Sequence, residues 1–410
     1  MGSGASVQSG VGLAPEVPQD VDNGLPPHSE YVQLCVTTLD GKAMHVDVAP
    51  GVTVSELRRV VSTMLGSTRT VMLICGSNVP RDTTIVKDLE SFELTVTLPA
   101  TTRRAATSTR SGKVHVFDLE GGREEICFDQ KSLGSHRGAD ISRELPSYGV
   151  ALSPDGKTVF AAFGIPKDIS IAGCTRVFDL TAQTEVATLD HSCGAVAVAC
   201  HPDGNTIAIG FVNGSVQIFN LMTMAEEREF KYKGGEVRSV VFDPHGLKLC
   251  TAHADGFARI FDIASSVVDA SFRHPSQVFG LAWHPDGTRL ATACDDNVAR
   301  VFDVTTQSEL FQVMHDAYVT SVAWHPNGNF LATGSADSTA RVTNVGDGTQ
   351  MSIKHSDQVQ DVAWAYGGTK LFAACQYFLQ LFDIDFQAAE YDKIQCLVHG
   401  GVVVAVTCAE

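Results

Sequence analysis

Long apolar runs are absent from this 410-residue chain; none approaches the ~18–20 residues that span a bilayer, so no transmembrane helix is expected. Basic residues are scarce as well. Lys and Arg number 30 against 47 Asp and Glu, giving a net charge of −17. The first thirty residues hold Glu16, Asp20, Asp22 and Glu30 with no base at all, residues 31–99 sum to −1, and the rest carries −12. Such a balance lacks the positive footprint that phosphate backbones require, so direct nucleic-acid binding is not expected. The start also lacks the basic-then-apolar pattern of a secretory signal. Eleven cysteines include no C-x-x-C pair, and Cys35, Cys200, Cys250, Cys294, Cys375 and Cys408 sit inside apolar, strand-like runs. That pattern reads as free thiols in a reducing compartment, the cytoplasm first and the nucleus as the alternative. Signatures of catalysis are missing too. There is no G-x-x-x-x-G-K-[ST], no H-E-x-x-H and no G-x-S-x-G, so the expectation is a protein that is not an enzyme and carries no cofactor and no metal.

What is present is a repeat. All three tryptophans, Trp283, Trp324 and Trp364, lie 41 and 40 residues apart, and Phe242 and Cys200 extend the series backwards by 41 and 42. A turn follows each position, as in His201-Pro-Asp-Gly204, Asp243-Pro-His-Gly246, His284-Pro-Asp-Gly287 and His325-Pro-Asn-Gly328, with an earlier copy at Ser153–Gly156 and a decayed one at Ala365–Gly368. Proline before Asp/Asn-Gly supplies the backbone angles of a tight turn between antiparallel strands. Each unit then closes on an aromatic-Asp or related pair, at Phe117, Phe178, Phe219, Phe261, Phe302, Thr343 and Phe382. Seven such pairs predict seven four-stranded blades. The first has only two strands before Phe117-Asp118, and the chain finishes on an unpaired strand-like run, His399–Cys408. That run is expected to complete the first blade and so remove the open edges.

Over residues 103–410 the pattern resembles WD40 repeats, most closely in 275–345. The fold class expected is therefore mainly β, a seven-bladed WD40 β-propeller. The resemblance implies that Asp255, Asp296 and Asp337, six residues before the aromatic position, have structural roles with His274, His315 and His355 as candidate partners. It also implies that a protein partner meets one face of the ring at the start of the inner strands, here Glu236, Arg238, Gln277, Phe279, Tyr318, Thr320, Gln358 and Gln360. Propellers that serve cullin ligases often carry Trp-Asp-x-Arg; here the position two beyond each Asp/Asn holds no arginine, which argues against that role. One blade departs from the period. Asp118 to Asp179 spans 61 residues where the others take 39 to 42, an excess of about 13 around Lys131–Tyr148 and 7 around Gly164–Ser170. Both additions are expected on the face that holds the proposed partner site.

Residues 1–30 read as a disordered acidic tail. Met1-Gly-Ser-Gly-Ala-Ser6 satisfies the M-G-x-x-x-S pattern, which makes Gly2 a lipidation candidate, and membrane contact is expected only with Gly2 myristoylated. In residues 31–99 an alternating strand, the turn Leu39-Asp-Gly-Lys42, a second strand, helical spacing over Val54–Leu65 and two later strands follow in the order of ubiquitin. The segment resembles a small α+β ubiquitin-like (β-grasp) domain. The positions that match ubiquitin's apolar recognition patch are Leu39, Leu73 and Thr95, so the resemblance implies a patch kept in part, with recognition by ubiquitin receptors weakened. It has no free Gly-Gly end, because the last strand runs on into Pro99-Ala-Thr-Thr. The combined reading is an interaction scaffold, a monomer or a subunit of a larger complex, with the propeller binding one protein and the small domain a second. The alternative is an assembly factor of the Notchless type, which pairs the same two domains; there Glu90 would offer a carboxylate to a metal site on an AAA-type ATPase.

Overall fold

Second strands that read as short continuous apolar runs are covered on both faces, as between two neighbouring sheets. Thr206–Phe211, Arg289–Cys294 and Phe330–Ser335 each have five consecutive buried residues after a half-buried first one. Fourth strands alternate instead; Val268–Arg273 buries only Ala270 and Phe272. Burial on one side alone marks them as the outer rim. The computed structural model describes residues 32–38, 43–48, 72–75, 93–97, 104–118, 123–129, 145–165, 168–232, 235–386, 390–398 and 403–409, the first four stretches as backbone strands. The chain divides into two units, Met1–Leu98 and Pro99–Glu410.

In the second unit seven four-stranded antiparallel sheets form seven blades. Their inner strands are, in chain order, Ser147–Leu152, Ala195–Cys200, Val237–Phe242, Val278–Trp283, Val319–Trp324, Val359–Ala365 and Val403–Ala409. Each touches the next, and the last returns to the first, so the ring is closed. Blade 1 is made from both ends of the unit. Val403–Ala409 pairs with Arg104–Thr109, which continues into Lys113–Asp118 and Arg123–Asp129. Blades 2 to 7 begin at Ser147, Ala195, Val237, Val278, Val319 and Val359. The final apolar run of the sequence thus fills the inner place that the first blade lacked.

The turns between first and second strands also join the blades. His284 Nε2 donates to the Gly328 carbonyl of the next blade over 3.0 Å, while its Nδ1 accepts the Asp286 N–H at 3.2 Å. His201 does the same with Gly246, and His325 with Gly368. Gly328 has φ +76°, and a Cβ there would collide with the His284 ring. Gly348 has the same φ of +76° but open space around it. Gly348→Ala should therefore cost only the ~1–2 kcal/mol of a left-handed L-residue. Gly328→Ala should add the lost bond and the clash, about 3–4 kcal/mol in all. Denaturant melts of the two variants test this, and equal losses would show that the histidine contact holds nothing.

The first unit contains β1 (Val32–Thr38), β2 (Ala43–Val48), β3 (Met72–Cys75) and β4 (Glu93–Thr97). They lie in the order β2-β1-β4-β3. β1 runs antiparallel to β2 and parallel to β4, and β3 is antiparallel to β4. The tail 1–30 with Gly2, the helical spacing over 54–65, Leu39 and Glu90 all lie outside the described residues; Leu73 falls in β3 and Thr95 in β4.

Candidate functional site

Strand period places the residues of interest. Val237, Val278, Val319 and Val359 open their inner strands and are fully buried. A one-residue bulge follows the valine in all four strands, and the residues one before and one after each valine flank it at the strand's start. Those are the eight positions named from the sequence, and seven of them gather at one mouth of the channel. The cavity there is about 480 Å³ and is lined by Glu236, Arg238, Gln277, Phe279, Tyr318, Thr320 and Gln360, among others.

The group is more tightly bound to itself than a wet, exposed rim would be. Arg238 reaches Gln277 Oε1 at 3.0 Å and Glu236 Oε2 at 3.3 Å, and its guanidinium sits 5.7 Å from the Phe279 ring centre. Phe279 and Tyr318 lie 5.8 Å apart, Tyr318 donates to Gln358 Oε1 at 3.2 Å, and Gln360 reaches the same oxygen at 3.4 Å. These contacts link side chains from four successive blades. Glu236, expected on the surface, is 7% exposed and serves to hold Arg238. The Thr320 hydroxyl is spent on the Gly334 and Val359 carbonyls. The others are half-buried.

The same register in blades 1 to 3 supplies a second arc. Tyr148, Val196 and Val404 line the cavity opposite the polar arc, and exposed Arg110 stands at its edge. The mouth is therefore apolar on one side and polar on the other, with two arginines against one buried glutamate. The same offset from each inner strand finds this arc; blade 1 is split between the two ends of the unit and blade 2 carries two additions, while Val196 of blade 3 stands in regular spacing. The two additions to blade 2 are anchored at this end of the ring: Gly164, opening the shorter one, donates to the Pro146 carbonyl at 3.2 Å. Most of the longer addition, residues 130–144, lies outside the described residues.

Below the mouth the inner strands converge. Two residues into each strand stand Gly149, Ala197, Ser239, Gly280, Ser321, Asp361 and Ala405. Small side chains are required here; a Cβ on Gly280 would come within 3.1 Å of the Ser321 Cα. Asp361 is the exception. The residue keeps contact with the channel lumen while its carboxylate lies deep between three blades. It accepts from the Ser321 hydroxyl, from the Val362 N–H at 2.9 Å and from the Val406 N–H of the closing strand at 2.8 Å. Burial pushes its pKa up to about 6, against the opposing pull of these donors. The signal in sequence was an acid in a register otherwise held by Gly, Ala and Ser.

The Asp/His set divides. His315 Nδ1 bonds Asp337 at 2.9 Å, and its Nε2 meets the Thr333 hydroxyl at 2.8 Å. Burial alone would raise the Asp337 pKa, but the Thr339 hydroxyl, the Asp316 N–H and His315 together bring it to about 2. This Thr–His–Asp relay has the order of a hydrolytic triad, yet Thr333 is 0% exposed and no substrate reaches it; its role is to tie strands together. Asp255 and Asp296 turn instead to arginines four residues on, Arg259 and Arg300, each at 2.6 Å. His274 takes Thr292 and the Phe272 carbonyl, and His355 takes Gln380. Each planar guanidinium donates to both oxygens of its carboxylate, a bidentate pair stronger than a single imidazole N–H.

Comparison with known proteins agrees with the repeat. The model of the WD domain, G-beta repeat, matches residues 183–220, 226–262, 268–303 and 308–344. A WD repeat-containing protein 91 homolog of Dictyostelium discoideum is 32% identical over 90 residues, 20% of this chain and 12% of that protein. WD repeat-containing protein SL1-17 of Schistosoma mansoni is 28% identical over 174 residues, 42% of this chain and 50% of that protein. The chain thus spans half or less of these relatives. Among solved structures, a chain of the "Crystal Structure of Mitotic Checkpoint Complex" superposes with a TM-score of 0.56 at 21% identity, over 62% of this chain and 78% of that one. The likeness is one of fold. The chain carries WD40 repeats closed into a seven-bladed propeller.

Proposed function

We propose that this WD40 propeller is a non-enzymatic interaction scaffold that grips a protein segment at the mouth of its channel. The observation that carries the reading is the two-sided mouth. Phe279, Tyr318 and Tyr148 offer aromatic surface of the kind that dominates binding energy, while Arg238 and Arg110 provide charge-assisted donors. The segment that fits has an apolar or aromatic anchor and an acidic residue beside it. Exposed Ile169, in the shorter addition to blade 2, extends the apolar surface at the same end of the ring.

The test is affinity capture from native cells with the full chain and three variants. Phe279→Ala and Tyr318→Ala should each weaken the main partner by about tenfold or more, as hot-spot aromatics do. Met222→Ala serves as the control, being 82% exposed at a turn on the opposite end of the ring. A partner set held equally by all three variants would rule the mouth out.

The first unit is read as the ubiquitin-like domain that docks a second protein. The order β2-β1-β4-β3 with a parallel β1–β4 pair supports this, being the arrangement a β-grasp sheet requires. Removing residues 1–99 should release one set of partners and leave those of the mouth. The nine described cysteines are all free thiols, which supports a cytoplasmic setting.

A further inference from the structure

Every blade repeats one small construction on its outer side. A residue in the middle of the third strand faces a residue of the fourth. Two positions on, the aromatic or threonine of the closing pair faces another. In blade 2 the pairs are Arg176 with Thr188 and Phe178 with Glu185; in blade 5 they are Arg300 with Gln312 and Phe302 with Glu309. A one-residue bulge lies between the pairs in both blades. Without it, fourth-strand residues three apart would point to opposite faces; the extra residue brings them to one face. The product in blades 2 and 5 is an Arg–Glu contact of 3.4 Å, and in blade 3 a bond of 3.0 Å from Gln217 to Glu226.

Blade 1 keeps the geometry and changes the chemistry. His115 faces Cys127 and Phe117 faces Glu124, with the bulge between Val116 and Phe117. The ligating atoms of His115, Glu124 and Cys127 all lie within 4.8 Å of one another, and His115 Nδ1 is 3.0 Å from Glu124 Oε1. The imidazole is buried against the Phe117 ring, while the carboxylate and the thiol are exposed. Among the described residues no other blade assembles such a set; blade 7, which also has a fourth-strand thiol, places Cys396 opposite Gln380 and Lys393 opposite Phe382.

We propose that His115, Glu124 and Cys127 form a binding site for a late first-row divalent cation, Zn²⁺ foremost, with a water in the fourth position. One nitrogen, one oxygen and one sulfur donor are ligands that Zn²⁺ takes, and a three-ligand site leaves one position open. Thiolate and carboxylate together balance the charge of the ion. The ligands sit on two paired strands whose register the bulge fixes, so little ordering remains to be done on binding. The His115–Glu124 bond alone would reproduce the polar link of the other blades. Cys127 is the added member, and it is the position that decides the matter.

The experiment uses the full chain, stripped of metal and titrated with Co²⁺ alone, then with Zn²⁺. One equivalent of Co²⁺ should bind and give a thiolate charge-transfer absorption, which Zn²⁺ then abolishes. Cys127→Ser should lose that absorption, and Cys396→Ser, removing the other thiol that is exposed among the described residues, should keep it. Glu124→Gln should weaken the affinity by about tenfold or more, at least the loss that even outer-shell changes produce at metal sites. Zn²⁺ should raise the melting temperature of the parent chain and not that of Cys127→Ser. Absence of the charge-transfer band, or its persistence in Cys127→Ser, would overturn the assignment. So would a Zn²⁺ shift in melting temperature that Cys127→Ser retains.

Discussion

A chain ending at His399 should lose most of its stability, with no sharp thermal transition at the parent temperature. The strand removed pairs with Arg104–Thr109 at six positions and places Val403 and Val406 in the core at 0% and 7% exposure. Burying two valines contributes about 3–6 kcal/mol. The loss also strips Asp361 of its Val406 donor and leaves a charged group facing an opened channel. A domain of this kind holds only about 5–15 kcal/mol in total. Calorimetry and limited proteolysis check the expectation, and adding a peptide of residues 399–410 should restore part of the transition by mass action. A truncated chain that melts beside its parent would mean that the ring does not depend on its closure.

The second large effect is with pH. His191, His253 and His274 are buried, and burial holds each pKa down to about 4, helped for the last two by Arg259 and Arg300 nearby. Unfolded, they bind protons near 6.5. As pH falls from 6.5 to 4 the unfolded state takes up protons that the folded state refuses, so stability is lost through that window. Asp361 works in the opposite sense. Its folded pKa of about 6 lies above the ordinary carboxylate value, so its charge weighs on the folded state above pH 6, and stability returns as pH falls from 6 to 4. At pH 5 three histidines have lost about 6 kcal/mol together, and Asp361 has returned between 1 and 2. The melting temperature should therefore drop steeply below pH 6. His253→Gln should remove about a third of the histidine contribution to that drop, and Asp361→Asn should steepen it. Urea titrations at a series of pH values separate the terms; a flat profile from pH 7 to 5 would refute both.

How much of this was legible depended on whether the information was periodic. The turns, the aromatic-Asp positions and the final apolar run repeat in register, so the blades and their closure could be read from spacing. The mouth residues followed from the same register in blades 4 to 7, but Tyr148 and Val404 of the apolar arc did not, because blade 1 is split between the two ends of the unit and blade 2 carries additions; Val196 lay in the regular spacing of blade 3 and was equally legible. Contacts between strands were hidden for a different reason. Whether His284 would reach Gly328, or Glu124 join His115, depends on the packing of neighbouring sheets and on a bulge, and neither leaves a mark in one strand. The Asp/Arg pairs are visible in the spacing: Asp255, Asp296 and Asp337 each have an arginine four residues later.

The closure of blade 1 has a consequence for synthesis. Thr109 and its partner Val403 are separated by 294 residues of chain. At translation speeds of about 5–20 residues per second, the first blade waits roughly 15–60 s for its inner strand to be made. Throughout that interval the edge of Arg104–Thr109 stands open to any passing strand, and later blades accumulate on an arc that has not closed. Nascent chains of this protein should therefore be clients of holding chaperones until the closing strand Val403–Ala409 has been made.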